Sequence, residues 1–443
     1  MDTPAAHVLV FPSPLQGHIN CMLHFATGLV ATGVHVTFLH TDHNLRRIDS
    51  AADTPARLRF LSVPDGLPDD HPRSVHFFLE LMVSLWTSGS AAYRALLASL
   101  CAPGVAGRDA AGATDASFPP VTCVVADGIL PFAIDIADEL GVPAIAFRTA
   151  RECVQLPDVP VRAQASGAWR LASSLSPKAV TSTSRSQQDP VIQLLSPALA
   201  EIALHMRDVF PIGPLHAMCS ATSAASSLWC EDDGCTAWLD GQADRSVVYL
   251  SLGSLAMISA NQLTEFLSGL IAAGYPFLWV LRQDMVEASQ DAALQEAVRV
   301  AGESKARVVP WAPQRDVLRH RAVGCFLTHS GWNSTLEAAV EGVPMVCWPF
   351  NFDQQINSRF VGTVWKMGLD MKDVCDRAVV ERMVREAMES GEIRESAQAL
   401  AQKVRRDITD GGSSATEFKR LVRFIRELST AGNGSRINTQ EHE

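Results

Sequence analysis

The chain has 443 residues, of which 47% are hydrophobic and 19% charged, and its formal net charge is −11. That much apolar material excludes a chain that is disordered throughout, and the acidic balance argues against a basic nucleic-acid-binding surface. No run approaches the ~18 apolar residues of a membrane-spanning helix. Ten cysteines without zinc-site spacings and an amino terminus without a secretory signal favour a cytoplasmic location.

The first half of the sequence alternates short apolar runs with amphipathic stretches, a pattern that predicts βαβ units and a parallel sheet. Helices are predicted over 17–31, 77–97 and 131–140. Strands are predicted over 7–11, 34–39, 58–63, 121–126 and 144–147. The first domain is placed at 1–215, with a linker at 216–240.

The second half repeats the alternation and predicts a second domain over 241–429, followed by a disordered tail at 430–443. Its helices are predicted over 260–273 and 334–341, with further helices to about residue 427. Its strands are predicted over 246–252, 277–282, 306–310, 325–328 and 344–348. The predicted fold is α/β with two doubly wound domains, a class that binds ligands at the carboxyl ends of its strands.

The strongest chemical signal is the stretch 311–354, WAPQRDVLRHRAVGCFLTHSGWNSTLEAAVEGVPMVCWPFNFDQ. A strand leads into His329, a tight turn and then a helix start that carries Asn333 and Ser334. Free backbone N–H groups and the helix dipole make such a start an anion site. Glu337, one turn further along, can accept hydrogen bonds from ribose hydroxyls.

Flanking residues supply the remaining parts of a nucleotide-sugar site. Trp311 offers a flat face to a nucleobase, and backbone groups at Ala312 can contact the base edge. Asp353 and Gln354 follow a strand end and suit the vicinal hydroxyls of a sugar. Each residue alone has a structural interpretation, such as a core aromatic, a satisfied histidine or a solvated charge. The combination at these spacings favours the site.

A second signal is PSPLQGHIN at 12–20, which places His18 near the start of the first helix. A neutral imidazole there can take a proton from a hydroxyl group. Asp127 ends the fourth strand at the same sheet edge and can orient it, as the aspartate does in a catalytic triad. The alternative is that both residues are local caps.

These motifs resemble a known family. The elements WAPQ, H-x-GWNS-x-x-E and the terminal DQ are similar to the signature box of plant family 1 UDP-sugar glycosyltransferases. The resemblance implies a GT-B fold, in which two Rossmann-like domains face each other across a cleft. The segments 41–47 and 64–73 resemble the subgroup of 7-deoxyloganetin glucosyltransferases, which act on terpenoid and iridoid aglycones.

The resemblance also implies roles for individual residues. His18 acts as the base and Asp127 as its partner. The residues implied for the base and ribose are Trp311, Ala312, Gln314 and Glu337. Those implied for the diphosphate are Ser254, His329, Asn333 and Ser334. Those implied for the sugar are Trp332, Asp353 and Gln354.

The implied reaction is an inverting transfer of glucose from UDP-glucose to a hydroxyl of a small lipophilic terpenoid, iridoid or phenolic aglycone. The product is a β-glucoside. The growing charge on UDP is stabilised by the helix start and its side chains, and neither a metal nor another cofactor is expected. The expected partners are the UDP-sugar and the aglycone, and the expected state is a monomer.

Residues 151–190 depart from the family pattern, because they lack periodicity and contain the polar run TSTSRSQQ. An altered reading frame or splice would explain this, and simple divergence is the alternative. A truncated first domain would lack a sheet strand, which leaves open a second function, a UDP-sugar-binding protein with impaired or no transfer. A Rossmann dehydrogenase is disfavoured because no G-x-G-x-x-G follows either first strand.

Overall fold

The computed structural model divides the chain into two compact units, Met1–Leu228 with Asp407–Glu443, and Trp229–Arg406. Residues 178–181 and 431–440 are described by their backbone. The described residues are 5–48, 54–73, 77–102, 118–149, 178–181, 208–219, 228–229, 231–232, 234–254, 256–282, 285, 299, 302, 304–351, 353–372 and 374–440. In this part of the chain, no helix is both long and apolar enough to cross a membrane.

The first unit contains a seven-stranded parallel sheet in the order β3-β2-β1-β4-β5-β6-β7. Its strands are β1 His7–Phe11, β2 His35–Thr41, β3 Leu58–Val63, β4 Cys123–Asp127, β5 Ala144–Arg148, β6 Lys178–Thr181 and β7 Val209–Pro211. Its α-helices are Gln16–Ala31, Asp42–Leu45, Phe78–Ser84, Ser90–Cys101, Pro131–Glu139, Leu215–Met218 and Ser413–Gln440.

The strand β1 explains why this sheet is covered on both faces. Val8 and Val10 point into one core cluster, and Leu9 and Phe11 point into another. All four side chains are at most 1% exposed. A strand that buries both of its faces must be apolar at every position, as is typical of parallel sheets between two helix layers.

The second unit contains a six-stranded parallel sheet in the order β10-β9-β8-β11-β12-β13. Its strands are β8 Val247–Ser251, β9 Phe277–Val280, β10 Ala306–Val309, β11 Val323–Thr328, β12 Met345–Cys347 and β13 Gly368–Asp370. Its α-helices are Gly234–Asp240, Ala260–Ala273, Gln314–Arg319, Trp332–Glu341, Gln354–Arg359, Arg377–Glu389 and Gly391–Ile408. In each sheet the strand order reverses beside the first strand of the unit, and ligands of doubly wound folds bind at such a switch point.

One predicted helix and the predicted disordered tail differ from the structure. The helix predicted over 77–97 is interrupted by a π-helical turn, Leu85–Gly89, that joins Phe78–Ser84 to Ser90–Cys101. The tail predicted to be disordered from residue 430 is helical to Gln440, and residues 441–443 lie outside the described chain.

The predicted domain boundaries also differ from the two units. The units divide after Leu228, within the predicted linker, and the chain returns to the first unit at Asp407. The reason lies in the last helix, whose Phe418, Leu421 and Ile425 pack into the same core cluster as Val8. Their spacing puts them on one helix face, and that face is buried within the first unit.

Candidate active site

His18 lies in the first turn of the helix Gln16–Ala31, directly after β1. The helix begins without a side-chain cap, and the backbone N–H of Ile19 donates to the carbonyl of Leu15 at 2.9 Å. The imidazole keeps 18% of its surface exposed. A partly accessible histidine thus lies just beyond the carboxyl end of β1.

Asp127 is the last residue of β4 and contacts His18 directly. Its Oδ2 lies 2.6 Å from His18 Nδ1, and its own side chain is 2% exposed. The backbone N–H groups of Ser13 and Ile129 donate to its two oxygens, each at 3.2 Å. A carboxylate only accepts hydrogen bonds, so Nδ1 carries the proton and Nε2 carries the basic lone pair.

Thr149 contacts the same imidazole nitrogen. Its Oγ1 lies 2.8 Å from His18 Nδ1, and the residue is 5% exposed and follows β5. The imidazole of His18 therefore meets side chains from the ends of two adjacent strands. Such contacts fix the orientation of a ring that would otherwise rotate.

In the second unit, the ring of His329 packs closely against the backbone of two glycines. A Cβ on Gly253 would lie 2.4 Å from this ring, and one on Gly331 would lie at the same distance. Ser254 directly follows Gly253, so the imidazole lies between the loop after β8 and the turn before the helix Trp332–Glu341. Burial lowers the pKa of His329 to about 4, which makes it a neutral hydrogen-bonding group at pH 7.

A hydrogen-bond network joins three of the predicted donor residues. The Nε2 of Gln314 donates to Oε2 of Glu337 at 2.7 Å and to Oγ of Ser334 at 2.9 Å. The hydroxyl of Tyr249, a residue 1% exposed, donates to Oε1 of Gln314 at 3.2 Å. Burial raises the pKa of Glu337 to about 7, although the bond from Gln314 and the nearby charge of Arg315 lower it.

Trp311 is half-buried and stacks on a second tryptophan. The ring of Trp229 lies 5.8 Å from it, centroid to centroid, with an interplanar angle of 25°. Ala312 is 4% exposed, and the helix Gln314–Arg319 begins two residues later. This packing orients the Trp311 ring, and the short connection brings Gln314 close to it in sequence and in space.

Asp353 and Gln354 lie at the start of the helix Gln354–Arg359. The Oε1 of Gln354 accepts from the backbone N–H groups of Phe350 and Asn351, at 2.7 and 2.9 Å. The carbonyl oxygen of the Gln354 side chain therefore holds the loop before the helix, and its amide hydrogens are not used in these two bonds. Oδ2 of Asp353 accepts from Nδ2 of Asn357 at 2.9 Å.

Trp332 and Asn333 open the helix after the His329 turn. Trp332 is 4% exposed, and its ring lies 6.4 Å from that of Trp365. Asn333 is half-buried. Among the described residues, no group of three or more His, Cys, Asp or Glu side chains could hold a metal ion.

Comparison with known proteins identifies the family. The family model described as UDP-glucoronosyl and UDP-glucosyl transferase matches residues 176–402. Myricetin 3-O-rhamnoside 1,2-glucosyltransferase of Crocosmia x crocosmiiflora is 40% identical, with 96% of this chain and 96% of the relative covered. The chain belongs to the UDP-glycosyltransferase family. It is an enzyme of this family.

Further relatives of this UDP-glycosyltransferase agree in sequence and fold. A 7-deoxyloganetic acid glucosyltransferase of Catharanthus roseus is 36% identical, with 96% of this chain and 98% of the relative covered. The crystal structure of Os79 from O. sativa in complex with UDP has a TM-score of 0.72 and 27% identity, and covers 94% of this chain and 100% of that one. The predicted GT-B class with two Rossmann-like domains is confirmed.

One hypothesis for the stretch 151–190 is a truncated first domain, which would lack a sheet strand. The strand β6 Lys178–Thr181 lies within it and pairs with both β5 and β7. The family match begins at residue 176, also inside the stretch. Residues 151–177 and 182–190 lie outside the described chain, so an altered reading frame stays a hypothesis for them.

The residues predicted for this UDP-glycosyltransferase fall into groups that the structure brings together within each unit. His18 contacts Asp127, and Gln314 contacts both Ser334 and Glu337. The prediction missed Tyr249, Thr149 and Asn357, whose contacts depend on the fold. A weak signal existed for Asn357, because it follows Asp353 by four residues on a helix, a spacing that places two side chains on one face.

Proposed function

We propose that this UDP-glycosyltransferase transfers glucose from UDP-glucose to a hydroxyl group of a small aglycone, with inversion to a β-glucoside. The observation that carries the proposal is the His18–Asp127 contact of 2.6 Å at the end of the first sheet. A histidine oriented in this way can accept a hydroxyl proton at Nε2. Relatives named as glucosyltransferases support glucose as the sugar.

The mechanism follows from the two halves of the predicted site. Nε2 of His18 accepts the proton of the acceptor hydroxyl while that oxygen attacks the anomeric carbon. Asp127 accepts the hydrogen bond from Nδ1–H throughout and stabilises the imidazolium that forms. The bond between the anomeric carbon and the diphosphate oxygen breaks on the opposite face, so an α-linked donor gives a β-linked product.

Negative charge develops on the leaving diphosphate, and hydrogen-bond donors stabilise this charge best when they are already oriented towards it. We assign that role to the start of the helix Trp332–Glu341 with Asn333 and Ser334, together with His329 and Ser254. Backbone N–H groups at a helix start are fixed and favour negative charge. Metal independence, a monomeric state and a cytoplasmic location stay predictions.

The remaining residues of the predicted UDP-sugar site bind the nucleoside and the sugar. Trp311 stacks the uracil on the face that Trp229 does not contact, and Ala312 holds the base edge through its backbone. Glu337 accepts from the ribose hydroxyls, while Gln314 orients it. Asp353 and the amide hydrogens of Gln354 hold the glucose hydroxyls beside Trp332.

The acceptor is proposed by chemical class. One relative is named for myricetin 3-O-rhamnoside and another for 7-deoxyloganetic acid. We propose a phenolic or iridoid-type aglycone for this enzyme. A panel of both classes, with UDP release as the readout, decides between them.

The test of the proposal compares His18→Ala and Asp127→Asn with the unchanged enzyme. We expect His18→Ala to lose at least about 10²-fold in kcat with UDP-glucose affinity nearly kept, because a general base contributes about that much. Asp127→Asn keeps the shape of the pair without its charge and should lose about 10² to 10⁴-fold. Affinity is measured by isothermal titration and turnover by UDP release.

A matched control is His24→Gln, which alters a buried histidine of the same helix. We expect transfer by this variant to stay within a few-fold of the unchanged enzyme. Equal loss of donor binding in His18→Ala would contradict the base assignment. Donor binding without turnover on every acceptor would instead favour a UDP-sugar-binding protein with impaired transfer.

A further inference from the structure

Asn357 lies where two separate pieces of the predicted donor site meet. It is fully buried, at 0% exposure, on the helix Gln354–Arg359. Its Nδ2 donates to the backbone carbonyl of Ser330 at 3.0 Å and to Oδ2 of Asp353 at 2.9 Å. One amide group therefore links the turn that follows β11 to the carboxylate at the start of the next helix.

The amide of Asn357 suits this place because of its two hydrogens. An amide nitrogen offers two donors, one for each acceptor. Its Oδ1 has no hydrogen-bond partner among the described residues, although buried polar atoms of native proteins are usually paired. Both hydrogen bonds of the Asn357 side chain are thus made by its amide nitrogen.

The Ser330 carbonyl belongs to a strained part of the backbone. Ser330 has a φ of 63°, in the left-handed region, and it is 0% exposed. Non-glycine residues are held in this region only where the surroundings determine it, often at functional sites. The turn keeps a second anchor, since the Ser330 N–H donates to Oγ1 of Thr328 at 3.3 Å.

On the other side, Asn357 holds the carboxylate of Asp353. A donor that contacts Oδ2 removes part of the rotational freedom of this side chain. Hydroxyl recognition by a carboxylate depends on its orientation, and a misplacement of about 1 Å can reduce catalysis about 10²-fold.

We infer that Asn357 is a positioning residue that fixes the Asp353 carboxylate against the Ser330 turn and so sets how well the enzyme holds the sugar of its donor. The inference rests on the proposed function, in which Asp353 binds the sugar. Its effect should fall on the sugar, because the nucleoside contacts assigned to Trp311 and Glu337 involve other elements and the turn keeps its second hydrogen bond, from the Ser330 N–H. UDP, which lacks the sugar, should be bound normally without Asn357.

The experiment measures UDP and UDP-glucose separately in the full chain with Asn357→Ala. We expect kcat/KM for UDP-glucose to fall between about tenfold and 10²-fold, while the dissociation constant of UDP changes less than about threefold. An equal loss of affinity for UDP and UDP-glucose would overturn the inference. It would indicate a purely structural residue.

Ser358→Ala is the matched control, because Ser358 is the next residue, is also 0% exposed and donates to Oδ1 of Asp370 at 2.6 Å. It removes one buried hydrogen bond from the same helix on a different side. We expect its kcat/KM for UDP-glucose and its dissociation constant for UDP to match those of the unchanged enzyme. If Ser358→Ala reproduces the loss seen with Asn357→Ala, the inference is wrong.

A double-mutant cycle separates action through Asp353 from other effects. In an Asp353→Ala background, Asn357→Ala should add no further loss of kcat/KM for UDP-glucose, whereas additive losses would overturn the inference. If Asn357→Ala does not fold, Asn357→Ser, which keeps one donor hydrogen, should still lose more kcat/KM for UDP-glucose than affinity for UDP, and equal losses would overturn the inference. Failure of the folded, unchanged chain to bind UDP would overturn the proposed function itself, before any variant is compared.

Discussion

Protonation of Glu337 should control donor binding near neutral pH. Burial raises the pKa of this carboxyl to about 7, while the hydrogen bond from Gln314 and the charge of Arg315 lower it. Hydroxyl groups donate more strongly to an ionised carboxylate than to a neutral one. Donor binding should therefore favour the deprotonated form, so affinity should rise as the pH rises through 7 and level off above it.

The size of the effect follows from that pKa. With a pKa of about 7, about one-tenth of Glu337 is ionised at pH 6 and about nine-tenths at pH 8. If only the ionised form binds well, affinity is about tenfold weaker at pH 6 than at pH 8, or about 1.4 kcal/mol. His329 stays neutral across this range, because its pKa is about 4.

The assay is isothermal titration of UDP-glucose between pH 6 and pH 8. UDP-glucose is preferred to UDP, because a terminal phosphate itself titrates near pH 6. Titration in two buffers of different ionisation enthalpy counts the protons released. At pH 7 we expect release of about half a proton per donor bound.

Two variants test whether Glu337 is the group whose ionisation controls donor affinity. Glu337→Gln should bind the donor more weakly and with no pH dependence in this range. Glu341→Gln alters another acid of the same helix, which pairs with Arg319 and Arg405, and should keep the pH dependence. A flat affinity profile in the unchanged enzyme, or the same profile in Glu337→Gln, would refute the reasoning.

Two further substitutions test packing on which the units depend. Gly253→Ala should weaken UDP binding at least about tenfold, since Gly253 has a φ of 73° and its new Cβ would lie 2.4 Å from the His329 ring; unchanged UDP titration would contradict this placement. Leu421→Ala should destabilise the first unit by about 2–5 kcal/mol, because Leu421 is 0% exposed in its core. Hydrogen exchange should then quicken in His7–Phe11, and equal quickening in Val247–Ser251 would argue against a local effect.

The sequence predicted elements wherever a strand is apolar on both faces or a helix has a sharp end. The helix predicted over 260–273 has these bounds in the structure, where Ser259 and Gln262 form a capping box and Gly274 ends the helix in the left-handed region. Such signals act within a few residues, so they can be interpreted without knowledge of the fold.

The partner of the last helix could not be predicted in this way. The spacing of Phe418, Leu421, Val422 and Ile425 indicates that one face is buried, yet it contains nothing about which sheet covers that face. Proximity in sequence favoured the second domain, whereas the structure places these side chains in the core of the first unit. Tyr249 was missed for a related reason, since its partner Gln314 lies 65 residues away.

The network around Gln314 suggests how the donor site can be both ordered and ready to bind. Its amide nitrogen already donates to Glu337 and Ser334, and its oxygen already accepts from Tyr249. A carboxylate has about four lone-pair positions, so ribose hydroxyls can add to Glu337 without displacing Gln314. Binding then adds hydrogen bonds to a side chain whose orientation is already fixed, which reduces the entropy lost on association. The cost lies in the carboxyl group, because the burial that accompanies this network also favours the protonated form of Glu337.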